Sequence, residues 1–148
     1  MATAPVMGAN CFFYLNSGTI ATPTWDEMNN VRDIEISVSY TGVDITARFG
    51  GGFKVHEPAL ADLSFSTEHL YDPADTQLTD LRTAALNRTL LDVAIMDGDI
   101  VVVGNQGYRV QVKAHSHKRS EMVDGILSES FDWKPCYSTQ APLYLVVS

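Results

Sequence analysis

Basic residues are scarce and late in this chain: there are 10 Lys and Arg against 18 Asp and Glu, and none precedes Arg32. The start therefore lacks the charged n-region of a signal peptide, and folding in a cytoplasm is expected. A formal net charge of −8 with scattered cations argues against tight nucleic-acid binding, which relies on neutralising phosphates. The same field disfavours anionic membranes. Long hydrophobic runs are missing as well. Runs such as Ile100 to Val103 and Leu143 to Val147 are far short of a membrane span. Cysteine is nearly absent. Cys11 and Cys136 read as reduced core thiols, with a disulfide between them as the alternative.

Chemical motifs are also lacking. His115-x-His117 could place two imidazoles on one strand face, but it has no third ligand pattern and sits beside Lys113, Lys118 and Arg119. Asp92, Asp97 and Asp99 lack calcium-loop spacing, and Asp97-Gly98-Asp99 suits a hairpin turn. Gly50-Gly51-Gly52 lacks the Lys-Ser/Thr ending of a phosphate loop. No Gly-x-Ser-x-Gly setting surrounds any serine. No catalytic, cofactor-binding or metal residues are therefore assigned, and a non-enzymatic role is expected.

What is present is length enough for one domain and a hydrophobic fraction of 45%, enough for a core. Period-two alternation dominates. Ile34, Ile36, Val38 and Tyr40 alternate with polar residues; Leu63 and Phe65, then Tyr108, Val110 and Val112, then Leu127, Phe131 and Trp133 do likewise. Shorter strands are expected at 11–15, 90–96, 100–103 and 143–147, with tight hairpins at Asp97-Gly98 and Asn105-Gln-Gly107 and a polar connection over 118–124. One helix is expected after Asp72-Pro-Ala-Asp75, with Leu78, Leu81, Ala85 and Leu86 at helical spacing. The fold expected is mainly β, a single domain over 1–148 built as a β-sandwich or partly closed barrel with one flanking α-helix.

Residues 41–57 break the alternation. A loop this long is uncommon in a compact domain and usually functional. Val43, Ile45, Phe49, Phe53 and Val55 within it need something to bury against. If the core is already full, that partner is another chain, with Asp44, Arg48 and Lys54 setting register at the rim. Such a loop is expected to be mobile in the free subunit and ordered on assembly, the alternative being a hairpin packed on its own domain. In the C-terminal arm over 135–148, Pro135 and Pro142 bracket Cys136 to Ala141, and Leu143 to Val147 follow. Its hydrophobic strand must pair away from the Phe131 strand, either in its own sheet or in a neighbour's.

The order of these features resembles the major tail protein family of long-tailed bacteriophages. The resemblance runs from about Trp25 to Pro135. Trp25-Asp-Glu-Met-Asn-Asn-Val-Arg-Asp-Ile34 leads a tryptophan into a strand, and Val43-Asp-Ile-Thr-Ala-Arg48 is similar to the family's V-D-V-T-x-R step. Gly50-Gly-Gly-Phe-Lys-Val-His-Glu57 follows, then Leu60-Ala-Asp-Leu-Ser-Phe65, similar to G-L-x-D-x-S-F, with Ala59 where glycine is commoner. Phe131-Asp-Trp-Lys-Pro135 closes the match. The resemblance implies a virion tail-tube subunit, assembled in the host cytoplasm and closing into sixfold rings that stack around a lumen. It further implies the tape-measure, tail terminator and distal tail proteins as partners, DNA passing without specific binding, no membrane and no cofactor. Two other readings stay open: the tube of a contractile injection system and a β-sandwich binding module.

Overall fold

A computed structural model describes residues 7–8, 11–48 and 51–148. It contains strands β1 (Phe12–Asn16), β2 (Trp25–Glu27), β3 (Val31–Asp44), β4 (His56–Leu70), helix α1 (Thr76–Asn87), β5 (Leu91–Met96), β6 (Gln106–Ser120), β7 (Ser128–Pro135) and β8 (Leu143–Val146). All pairings are antiparallel, in the order β2-β1-β5-β6-β7-β4-β3, with β8 on β6.

The long strand β6 makes this one sheet behave as two layers. Its first half, Gly107 to Val112, pairs with β5, while from Val112 onward it pairs with β7. The sheet thus turns over along β6, and distant strands meet across the interior: the Phe13 ring of β1 lies 6.4 Å from Phe65 of β4. Trp133, Phe131, Val110 and Val112 fill the space between. The mainly-β expectation with one helix holds, and the sheet remains unclosed between β1–β2 and β3. Gly107 is required at the start of the β5–β6 ladder, because a Cβ there would fall on the carbonyl oxygen of Ile95.

The helix caps the interior with Leu78, Leu81 and Ala84. Asp75 is its N-cap, accepting from the backbone N–H groups of Gln77 (3.0 Å) and Leu78 (3.3 Å). Expected Leu86 is exposed, since the buried face runs through Ala84 instead. The run 100–103 is not a strand. Asp97–Asn105 forms a longer connection in which Asp97 Oδ1 accepts from Gln106 N (2.7 Å) and Asp99 Oδ1 from Val101 N (3.0 Å), replacing the tight hairpin. The connection expected over 118–124 is displaced to 121–127, because β6 runs on to Ser120 and β7 begins only at Ser128. Cys11 is exposed and Cys136 half-buried, both free, so neither is a core thiol.

Ionisable groups are buried between β4 and β7. His69 and Glu129 face each other across β4 and β7, both fully buried. Trp133 Nε1–H donates to Thr67 Oγ1 (3.0 Å), and that hydroxyl shares a second hydrogen bond with His69 Nε2 (2.8 Å). Glu129 accepts from Arg82 Nε of the helix (2.9 Å). Burial pushes the imidazole down from 6.5 to about 4, although the Asp75 and Glu129 charges oppose the shift. The unfolded chain therefore binds the proton first as pH falls. This contribution is intact above about pH 6.5 and lost progressively down to about pH 4, amounting to about 3 kcal/mol. Denaturant unfolding across that range should show the loss in the wild type and a smaller slope in His69→Gln.

Candidate assembly interface

A run of exposed apolar residues lies on the β3–β4 hairpin. Ile34, Ile36, Val38 and Tyr40 share one face, opposite Thr67, Phe65, Leu63 and Ala61. Ile34 and Ile36 pack on the core, but the stripe outruns it: Val38 is 41% and Tyr40 63% exposed. Alternation alone assigned these two residues to a half-buried face. What marks them is length, since none of the described elements covers the distal hairpin.

Residues 41–57 are not a structureless loop. Thr41–Asp44 extend β3 and His56–Glu57 begin β4, with Val43 opposite Glu57 and Asp44 opposite His56. A register shift sets Ala59 and Leu60 of β4 against Thr41 alone, and on β3 the face of Ile34 to Tyr40 continues with Gly42 and Asp44, so the apolar period-two pattern ends there although the strand goes on. The connection proper is 45–55. Ile45 N–H donates to Val55 O (2.9 Å), and Val55 N–H to Thr46 Oγ1 (2.9 Å). Asp44, expected at a contact rim, uses its carboxylate locally. It accepts from Thr46 N–H (2.9 Å) and hydroxyl (2.5 Å), and these bonds hold its pKa below the usual carboxylate value. Gly51 and Gly52 turn the chain at φ 65° and 86°.

The distal end of the hairpin stands clear of the core. Val43, Ile45 and Phe53 are 45%, 49% and 77% exposed, and Arg48 and Lys54 are exposed beside them. Val55 is half-buried, and Phe49 lies outside the described residues. The structure thus gathers Ile45, Arg48, Phe53, Lys54 and Val55 at one tip and places Val43 and Asp44 at its neck. β3 is the last strand of the sheet, so its outer edge has no partner among the described residues. From Ile36 to Val43 that edge carries neither charge nor proline, the usual guards against pairing with another chain.

The C-terminal arm takes the own-sheet option. β8 pairs with the start of β6, Tyr108 opposite Tyr144, on the edge that β7 occupies further along. Leu145 and Val147 then cover a second small core of Tyr14, Ala94 and Met96 on the outer face. Beside it lies a buried polar cluster. Asp92 accepts from Arg109 Nη2 (2.7 Å), Gln111 Nε2 (2.9 Å) and Asn16 Nδ2 (2.9 Å), and the guanidinium lies 5.1 Å from the Trp25 ring centre. Asp92 is thus part of a structural network, unlike the turn residues Asp97 and Asp99. His115 falls at a bulge in β6, and His117 stacks on Phe131 at 4.7 Å. Among the described residues no group of three or more His, Cys, Asp or Glu could hold a metal ion.

Solved structures share this architecture from end to end. The SPP1 tail tube superimposes with a TM-score of 0.75 at 13% identity, over 97% of this chain and 81% of that one. The fold is that of a tail tube subunit. A chain from the tail of an empty GTA particle, a sixfold-symmetric assembly, gives 0.71 at 14% identity over 96% and 98%. A chain from the sheath-tube complex of an extracellular contractile injection system gives 0.66 at 13% over 97% and 93%. No family model matches the sequence, and no curated protein does either. The tail-tube fold is therefore recognised here through shape, at identities where sequence comparison fails.

Proposed function

We propose that the chain is the structural subunit of a bacteriophage tail tube, polymerising as hexameric rings stacked around a lumen. The observation that carries this is the β3–β4 hairpin. Its apolar stripe and tip are exposed on a tail-tube fold, and its outer edge is unguarded. In a ring, a neighbour's strand continues the sheet from that edge and removes it from solvent. Stacking the rings buries the tip, with Val43, Ile45, Phe53 and Val55 supplying apolar area and Arg48 and Lys54 setting register. Phe49 belongs to the same segment. In this reading the tip becomes ordered against the adjacent ring.

The chain does no chemistry in this role. Its partners are its own copies along the tube, the tape-measure protein inside, and terminator and distal tail proteins at the ends. With a net charge of −8 the lumen repels DNA and lets it pass without specific binding. The mature location is the virion tail, reached after assembly in the host cytoplasm, and no membrane is involved. The fold match to a contractile injection system keeps one second reading: the same ring-forming role inside a sheath. Sedimentation of the purified protein tests the reading. A concentration-dependent shift from monomer to rings or tubes is expected, and a strictly monomeric protein at high concentration, with and without salt, contradicts it.

A further inference from the structure

The unclosed seam of the sheet is a cleft. It measures about 880 Å³ and lies between β1–β2 on one side and the base of β3 on the other. Phe13, Ile34, Ile36 and Tyr108 form its apolar walls. Its rim carries Glu27, Asp33 and Asp97 against the single cation Arg32, so the mouth is net acidic. A volume of this size is in the range of clefts that enclose a compact apolar group.

The hairpin tip has the opposite character. Between Ile45 and Val55 the sequence contains no Asp or Glu, and its charges are Arg48 and Lys54. In a chain with net charge −8 this segment is both apolar and net basic. A tip cannot reach the cleft of its own chain. The cleft borders Val31 to Ile36, and the extended ladder from Ile36 to Asp44 carries the tip roughly 26 Å away, at about 3.3 Å per residue.

We propose that the tip of the β3–β4 hairpin seats in this seam cleft of a second copy of the chain. Phe53 enters between the apolar walls, and Lys54 and Arg48 pair with Asp33 and Glu27 at the mouth. The inference rests on the tube reading and adds the receiving surface to it. The contact joins two different patches, so each copy offers a free tip and a free cleft, and docking propagates along an axis instead of closing as a dimer. That property suits ring stacking. The acidic mouth and basic tip also bring copies together in one orientation.

Cys11 borders the cleft and is an exposed free thiol, which provides a probe. Ala47→Cys places a second thiol on the exposed tip. Assembled full-length Ala47→Cys protein is treated with a short bis-maleimide and run on a denaturing gel. The expected result is a ladder of covalent oligomers that disappears when Cys11→Ser is added. Visible tubes without a ladder, or a ladder that survives Cys11→Ser, overturn the seating while leaving the tube reading intact. Wild-type protein that forms neither rings nor tubes overturns both. A charge exchange tests the same contact should Ala47→Cys fail to assemble. Lys54→Glu is expected to raise the concentration needed for tube growth about tenfold, and Asp33→Lys in the same chain to bring it back. No effect of Lys54→Glu, or no recovery in the double variant, overturns the proposal.

Discussion

Replacing Ile45 and Phe53 with serine is expected to abolish tube growth while leaving the free subunit as stable as before. Both side chains are largely solvated in the subunit, at 49% and 77% exposure, and neither belongs to the core. Surface changes of this kind shift stability by about 0.5 kcal/mol or less, so the melting temperature should move by no more than about 2 °C. In an assembly the balance differs. Each apolar side chain buried at a contact contributes roughly 1.5–3 kcal/mol, so the pair removes about 3–6 kcal/mol from every docking step. That is roughly a hundredfold or more in each equilibrium constant, and it recurs at every subunit. Paired measurements of melting and of light scattering during growth separate the two effects. A large fall in melting temperature would show that the tip belongs to the fold of the subunit.

The second large effect is expected inside the subunit. Asp92→Ala should cost about 3–5 kcal/mol, because it strands the Arg109 guanidinium, whose side chain is 12% exposed, and leaves Gln111 and Asn16 donors unpaired. In a domain whose total stability is on the order of 5–15 kcal/mol, such a loss should lower the melting temperature by roughly 10 °C. Asp92→Asn keeps an acceptor at the same position and should fall between the two. The network also ties β5 and β6 to the 17–24 loop through Arg109 Nη2, which donates to Ile20 O at 2.7 Å. Loosening it should therefore increase proteolysis in that loop before global unfolding. A loss below about 1 kcal/mol in Asp92→Ala would mean that Arg109 turns outward and recovers its hydration.

Much of this architecture was legible because half-buried antiparallel strands impose a period of two on the sequence. Leu63 and Phe65, Val110 and Val112, and Phe131 and Trp133 were readable as inward pairs, and all six are buried. The helix was legible through Asp75 and the spacing of Leu78 and Leu81. The signal failed wherever the period was interrupted or the run was short. The apolar face of β3 runs on into Gly42 and Asp44, and an extra residue at Ala59–Leu60 shifts the register of β4, so a continuing hairpin read as a loop. Ile100 to Val103 looked like a strand by composition, yet Val101 and Val103 are exposed in a connection held by Asp97 and Asp99 side chains.

The candidate interface was legible in part, for a related reason. Apolar residues in a segment that seemed to lack structure pointed to Ile45, Phe53 and Val55. Nothing local distinguished Val38 and Tyr40 from their core neighbours Ile34 and Ile36. Where the core ends along a strand depends on what the other layer covers, and that is a property of the folded sheet. The seam cleft was invisible for the same reason, since residues 31–36 meet Phe13 and Tyr108 there only after the sheet curls back on itself. The Asp92 cluster joins side chains up to 76 positions apart, which no local pattern encodes.

Electron microscopy of the purified full-length protein, over a series of concentrations and salt conditions, tests the central claim most directly. The account predicts sixfold rings at low concentration and hollow tubes of stacked rings at higher concentration, with neither in the Ile45→Ser, Phe53→Ser double variant. Uniform single particles of about 16 kDa at every concentration would contradict it.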